Sequence, residues 1–249
     1  MKMHRFAAVA LLAAACGFAA AAEPLPPNIA AAAADPARAA QASADAVRHG
    51  PEIVAFAGVQ PGAKVIDLIP GGGYWTGLFA PAVGPGGHVY AIWPDEYAKV
   101  DGDEIPPYRA VAAKYANVSI LEQPAAQLSA PEKVDLIFTA QNYHDYLDKF
   151  MGPTDPMVLN KAAFAALKPG GIYLIVDHVA QAGSGARDTD TLHRIDPAIV
   201  KTQVTAAGFQ FVAESKLLVN PADDHAKKVF DKSIRGKTDQ FIYKFRKPG

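Results

Sequence analysis

The segment Val65-Ile66-Asp67-Leu68-Ile69-Pro70-Gly71-Gly72-Gly73-Tyr74-Trp75-Thr76 constrains this chain more than any other. After the Pro61-Gly62 turn, residues 63–68 read as a short buried strand. Three glycines follow, and Trp75, Leu78, Phe79 and Val83 then recur at helical spacing. A strand running through glycines into a helix lets a ligand approach the backbone, because glycine carries no Cβ and the first helical turn offers unpaired N–H groups. The same string also serves as a plain strand-to-helix turn, so the rest of the chain has to decide between the two.

Downstream, strands alternate with helices. Residues 88–93, 118–121, 134–140, 172–176, 209–216 and 241–245 read as strands, and residues 107–115, 156–167 and 196–207 as helices. Upstream, residues 36–49 read as a helix with Asp35 as N-cap before Pro36, and Gly50-Pro51 separates it from a short helix through Ile53, Val54 and Phe56. Alternation with apolar strand interiors predicts a Rossmann-like, doubly wound α/β sheet, mostly parallel and covered on both faces. The last strand follows its predecessor through the polar segment 220–239 instead of a helix, which permits a final antiparallel strand.

Residues 1–22 read as a signal peptide: Lys2, His4 and Arg5 precede an apolar run ending in Ala20-Ala21-Ala22 before Glu23. This predicts an exported protein, periplasmic or secreted, with one domain over residues 23–249 and residues 23–35 as a loose lead-in. Lipid anchoring through Cys16 is the alternative processing route. Cys16 is the single cysteine, so cleavage leaves no thiol nucleophile and no zinc–thiolate site. A net charge of -1 without a Lys/Arg run excludes a polyanion partner such as nucleic acid. The partner expected is a small-molecule substrate, with no membrane span in the mature form.

The order of elements and the motifs resemble the class I S-adenosylmethionine-dependent methyltransferases. Asp67-Leu68-Ile69-Pro70-Gly71-Gly72-Gly73 is similar to their first motif, an acidic residue followed by alternating glycines. Lys168-Pro169-Gly170-Gly171 is similar to their turn before strand five. Pro-Gly-Gly-Gly-Tyr-Trp-Thr at residues 70–76, and the strings 188–196 and 220–225, resemble a group of exported bacterial predicted methyltransferases. The resemblance implies S-adenosyl-L-methionine as cofactor, lying across Gly71, Gly72 and Gly73 with Asp67 near its amino-acid end. There are departures. Ile69 stands where the first glycine usually is, Trp93 where an acidic residue binds the ribose, and Pro124 near the adenine-contacting Asp.

Ligands of open α/β sheets sit beyond the carboxyl ends of the strands. Those ends carry Asp67, Trp93, Asn142-Tyr143-His144-Asp145 and Asp177-His178. His144 with Asp145 suits a general base oriented by a carboxylate. Trp93 and Asn142 are expected at the cofactor, and Asp177, His178, His193 and Arg194 at the substrate. Asp224 and His225 are further candidates in the long polar segment, with a solvated loop as their alternative. One of Tyr74, Trp75 and Trp93 is expected to stack on a ring. Asp177-His178 occupies the place of the metal-binding Asp-Asn of cation-dependent O-methyltransferases. Strand four, however, ends in Ala140-Gln141 and supplies no matching ligand, so no metal residue is assigned. The expected function is methyl transfer to an unidentified small-molecule oxygen or nitrogen. A repurposed ligand-binding protein, or a metal-dependent enzyme using Asp177, His178 and His144, are the alternatives.

Overall fold

The computed structural model describes residues 24–152 and 155–249. Seven strands form one sheet: β1 (Lys64–Leu68), β2 (His88–Pro94), β3 (Val118–Gln123), β4 (Val134–Ala140), β5 (Leu167–His178), β6 (Gln210–Ser215) and β7 (Gln240–Arg246). Their order is β3-β2-β1-β4-β5-β7-β6. Neighbours from β3 through β5 are parallel, and β7 runs antiparallel to both β5 and β6. This is the doubly wound sheet with an antiparallel last strand that the alternation of elements predicts.

Strand side chains alternate between two cores, as the two-residue period requires. Ile66, Ile92, Ile137 and Ile175 face one side of the sheet, and Val65, Val89, Phe138 and Val176 face the other. Helices Thr76–Val83 and Gly50–Ala57 cover the second face. Phe138 is fully buried between Trp75 and Phe79, with ring centroids at 4.7 and 5.1 Å. Burial of such a side chain contributes about 1.5–3 kcal/mol. The chain leaves β1 outward to β2 and β3, then crosses back to β4. The reversal between β1 and β4 creates the crevice in which open α/β sheets hold ligands.

Four elements differ from the sequence reading. Residues 27–33, expected within a loose lead-in, form a helix, Pro27–Ala33, whose Ile29 and Ala32 are buried in the same core as Leu78 and Phe79. Residues 36–49 form short pieces, Pro36–Arg38, Ala42–Ala44 and Asp45–Arg48, instead of one helix. Asp35 does cap the first piece, accepting from the Ala37 N–H at 2.8 Å. A helix at Asp95–Asp101 follows β2 directly and was not anticipated. The Lys168-Pro169-Gly170-Gly171 turn lies inside β5, where the pairing with β4 shifts register between Val134 and Leu136. The signal-peptide reading of residues 1–22, Cys16 and the cleavage point before Glu23 lie outside the described residues. Among the described residues, no helix is long and apolar enough to cross a membrane.

Candidate active site

A cavity of about 770 Å³ opens at the carboxyl ends of β1, β4 and β5, within the usual size range of small-molecule sites. One side of it is built from backbone. Ile69, Gly71 and Gly73 adopt φ of 53°, 52° and 78°. Left-handed backbone is unexceptional for glycine, but for a β-branched residue it costs on the order of 1–3 kcal/mol. Ile69 is held there by its N–H, which donates to the Ile92 carbonyl at 2.9 Å, and by burial of its side chain. Ile69 thus takes the conformation of the glycine it replaces. Gly71 and Gly72 line the cavity, whereas Gly73 does not. A Cβ on Gly72 would meet nothing within 4 Å, but one on Gly73 would stand 2.9 Å from Val111 Cγ1. Gly72 therefore leaves room for a ligand, and Gly73 lets the loop pack against the helix Ile105–Ala112.

Asp67 lies beneath this loop, not in the cavity. It is 1 % exposed and accepts a 2.6 Å hydrogen bond from the Thr76 hydroxyl. Burial pushes its carboxyl up to about 7, only partly offset by Thr76. The N-terminal pieces lie over the loop. Gln41 Nε2 donates to the Gly72 carbonyl at 3.2 Å. The fully buried Arg38 grips Asp45 with both terminal nitrogens, and Asp45 also accepts from the Tyr74 hydroxyl at 2.7 Å. This recruitment of Asp45 explains why the segment breaks into short turns.

The opposite side is built from charged side chains. After β4, Gln141 turns the chain at φ 66°, and a 3₁₀ turn at His144–Leu147 follows. Asp177, fully buried at the end of β5, reaches across to that turn. It accepts the His144 peptide N–H at 2.9 Å, the His178 N–H at 2.7 Å and the His144 ring Nδ1–H at 2.8 Å. The other ring nitrogen, Nε2, stands 3.1 Å from Asp145 Oδ1 and 3.3 Å from His193 Nδ1. Burial opposes charge on His144, but Asp177 and Asp145 outweigh it and hold the ring well above its ordinary value of 6.5. Burial likewise opposes charge on Asp145, yet His144, His193 and Asn142 hold its carboxyl well below the usual range. His178, at the cavity wall, is pushed down to about 4, chiefly by burial.

The structure thus brings His144, Asp145, Asn142, His178 and His193 to the cavity wall. The carboxylate that orients His144 through Nδ1 is Asp177, not Asp145. With Nδ1 committed to Asp177 and Nε2 set against Asp145 and His193, the geometry speaks against His144 as general base. Asp177 is occupied by the polypeptide and does not meet a substrate. Arg194 is fully buried, pairing with Asp223 at 2.9 and 3.1 Å and donating to the Val179 and Lys227 carbonyls. It anchors the polar segment and is withdrawn from the cavity. Trp93 is also fully buried, packed on Tyr97 and Tyr108 at 5.7 Å each, and cannot contact a cofactor. Tyr74 and Trp75 remain at the wall. Asp224 caps Ala226, and His225 bonds Asp239 at 3.0 Å; neither lines the cavity.

Two acidic residues that the sequence reading passed over, Asp101 and Glu104, do line it. Glu104 Oε2 lies 3.8 Å from where a Cβ on Gly71 would stand. Burial, with Asp101 nearby, holds its carboxyl above the usual range. The signal was present as spacing: Tyr97, Asp101 and Glu104 recur at i, i+4 and i+7, which is one helical face. Asp148 was also missed. It is the C-cap that follows the 3₁₀ turn His144–Leu147. Asp148 is 1 % exposed, and neither of its oxygens has a hydrogen-bond partner among the described residues. The Thr189 hydroxyl beside it donates to the Ala186 carbonyl instead.

No protein-family model matches the chain, and no curated protein matches it by sequence. Solved structures do match its fold. One is a SAM-dependent methyltransferase from Aquifex aeolicus, 18% identical, with a TM-score of 0.59 over 85% of this chain and 93% of that one. The [4+2]-cyclase SpnF is 17% identical, with a TM-score of 0.57 over 82% and 81%. The glycopeptide N-methyltransferase MtfA, complexed with sinefungin, is 14% identical, with a TM-score of 0.54 over 82% and 87%. The shared architecture is the class I methyltransferase fold.

Proposed function

We propose that this chain is an exported S-adenosyl-L-methionine-dependent methyltransferase acting on a small-molecule oxygen or nitrogen. One domain over residues 23–249 would follow a cleaved leader, residues 1–22. The observation that carries the reading is the cavity itself. It lies at the β1/β4 reversal, with Gly71 and Gly72 on one side and a cluster of histidines and carboxylates from the β4 and β5 ends on the other. S-adenosyl-L-methionine, named for similar structures, supports the same cofactor here.

In this reading the donor lies along Ile69–Gly72, with Glu104 and Asp101 as acceptors for ribose hydroxyls in place of the missing acidic residue at Trp93. Tyr74 or Trp75 offers a ring face. The acceptor sits against Asn142, Asp145, His178 and His193. When bound, S-adenosyl-L-methionine would supply the methyl group and be left as S-adenosylhomocysteine, the acceptor's proton being lost to solvent. The protein's contribution is positioning and exclusion of competing geometry. His144 enters as the rigid centre of the polar side.

Calorimetry of the protein with S-adenosyl-L-methionine and S-adenosylhomocysteine tests this. One site per chain for both ligands is expected, and no heat with either overturns the cofactor assignment. Burial of Trp93 favours a second reading, a ligand-binding protein on this fold, since the fold also serves other ends. Saturable donor binding without turnover over a broad panel of acceptors would favour it.

A further inference from the structure

We propose that His144, Asp145, Asp148 and His193 form a binding site for one first-row divalent transition ion of the zinc type, facing the cavity. One donor atom from each lies within 4.8 Å of all the others. Donors on one such ion stand at most about 4.4 Å apart, given bonds of about 2.0–2.2 Å, so side-chain shifts of a few tenths of an ångström close the set.

Three independent features point to an ion. First, Asp148 is buried at 1 % exposure, and neither carboxylate oxygen has a partner among the described residues. A carboxylate in that position is costly unless something neutralises it, and within the cluster it lies beside the ring nitrogens of His144 and His193. Second, Asp177 accepts the His144 Nδ1–H, so Nε2 is the nitrogen turned toward Asp145 and His193. A carboxylate on Nδ1 with Nε2 directed into the cluster is the arrangement that fixes a ligating imidazole. Third, His193 is the left-handed C-cap of the turn Thr189–Leu192, at φ 52°, and this strained backbone delivers its Nδ1 to within 3.3 Å of His144 Nε2.

Two imidazoles with two carboxylates suit zinc, manganese or iron, and disfavour magnesium and calcium, which prefer all-oxygen shells. His144, Asp145 and His193 line the cavity, so the ion's open side would face whatever occupies it. The set shares only His144 with the Asp177, His178 and His144 grouping considered from the sequence. Asp177 supports the ring from behind, and His178 is turned to Thr238, 2.8 Å away.

The test is zinc titration of the untagged full chain after dialysis against a chelator, in parallel with magnesium. One zinc per chain is expected, with magnesium at least 100-fold weaker. Asp148→Asn should weaken zinc at least 100-fold while leaving the metal-free melting temperature unchanged or raised, because the Asp148 carboxylate has no hydrogen-bond partner among the described residues. His193→Gln should weaken it similarly, and cobalt(II) in the intact protein should show visible bands that both variants lose. Unchanged zinc affinity in Asp148→Asn, or no stoichiometric zinc in the parent, overturns the site. The site does not rest on methyl transfer, and donor calorimetry on the same samples reads that question separately.

Discussion

Asp67 and Asp177 sit at the ends of two parallel strands of one sheet, each essentially removed from solvent, yet they serve opposite designs. Asp67 accepts one hydroxyl and has no cationic partner among the described residues. Asp177 accepts two peptide N–H groups and a histidine ring. Around Asp67 the work is done by backbone: left-handed residues and a glycine that leaves space. Around Asp177 it is done by side chains of alternating charge. One side of the cavity is therefore a shape and the other an electrostatic network. A shape tolerates loss of its acid, whereas a network does not.

Removing the acid of the network should have the largest effect. Asp177→Ala strips three hydrogen bonds and leaves His144 without its main counterion, so a loss near the upper end of about 3–5 kcal/mol is expected in denaturant unfolding. A loss below about 1 kcal/mol would erase the contrast.

The matching change on the other side has the opposite sign. Asp67 is held at about 7 in the fold against an ordinary 3.8. Between those values the folded chain keeps a proton that the unfolded chain releases, so stability declines as pH rises through this window. By pH 8 the deficit approaches about 4 kcal/mol. Asp67→Asn should flatten that decline and match or exceed the parent at pH 8, as read from melting temperatures at pH 5 and 8. A parallel decline in both proteins would move the titration elsewhere.

The loop sharpens the comparison at smaller scale. Gly73→Ala adds a Cβ at positive φ against Val111 and should cost about 1–3 kcal/mol. Gly72→Ala should change stability by less than about 0.5 kcal/mol and instead weaken S-adenosyl-L-methionine about tenfold, or about 1.4 kcal/mol. Equal effects on stability would show that both glycines serve packing alone. Asp224→Ala, in a local turn away from the cavity, should stay within about 0.5 kcal/mol in the same unfolding assay.

The same contrast explains what could be read from the sequence. The glycine side was legible because its information is local: the turn at Gly71–Gly73 is written where it occurs, and β4 was bounded to the residue at Val134–Ala140. The network was legible only in its members. His144, Asp145, Asp177 and His193 could be named by type and strand end. That Asp177 holds His144 depends on contact across 33 residues, and the approach of His193 on contact across 49. Arg194 and Trp93 were misplaced for a related reason. A charged or amphipathic residue at a strand end suggests a ligand, but here Asp223 pairs with Arg194, and Tyr97 and Tyr108 pack around Trp93 inside the protein. Asp148 was invisible because its distinction is an absence of partners, which no spacing encodes.

The placement of β7 governs the order in which this protein can be completed during synthesis. It lies between β5 and β6, so the backbone of β6 has no neighbour in the sheet until residues 240–246 have been made. A chain in which β7 has not yet docked therefore carries one open edge on β5 and an unattached arm at Gln210–Ser215. Arrival of β7 closes both at once, and Lys244 then reaches the Phe56 carbonyl, 188 residues upstream. Completion of the sheet therefore waits on β7, and β5, whose end carries Asp177 and His178, keeps an open edge until then.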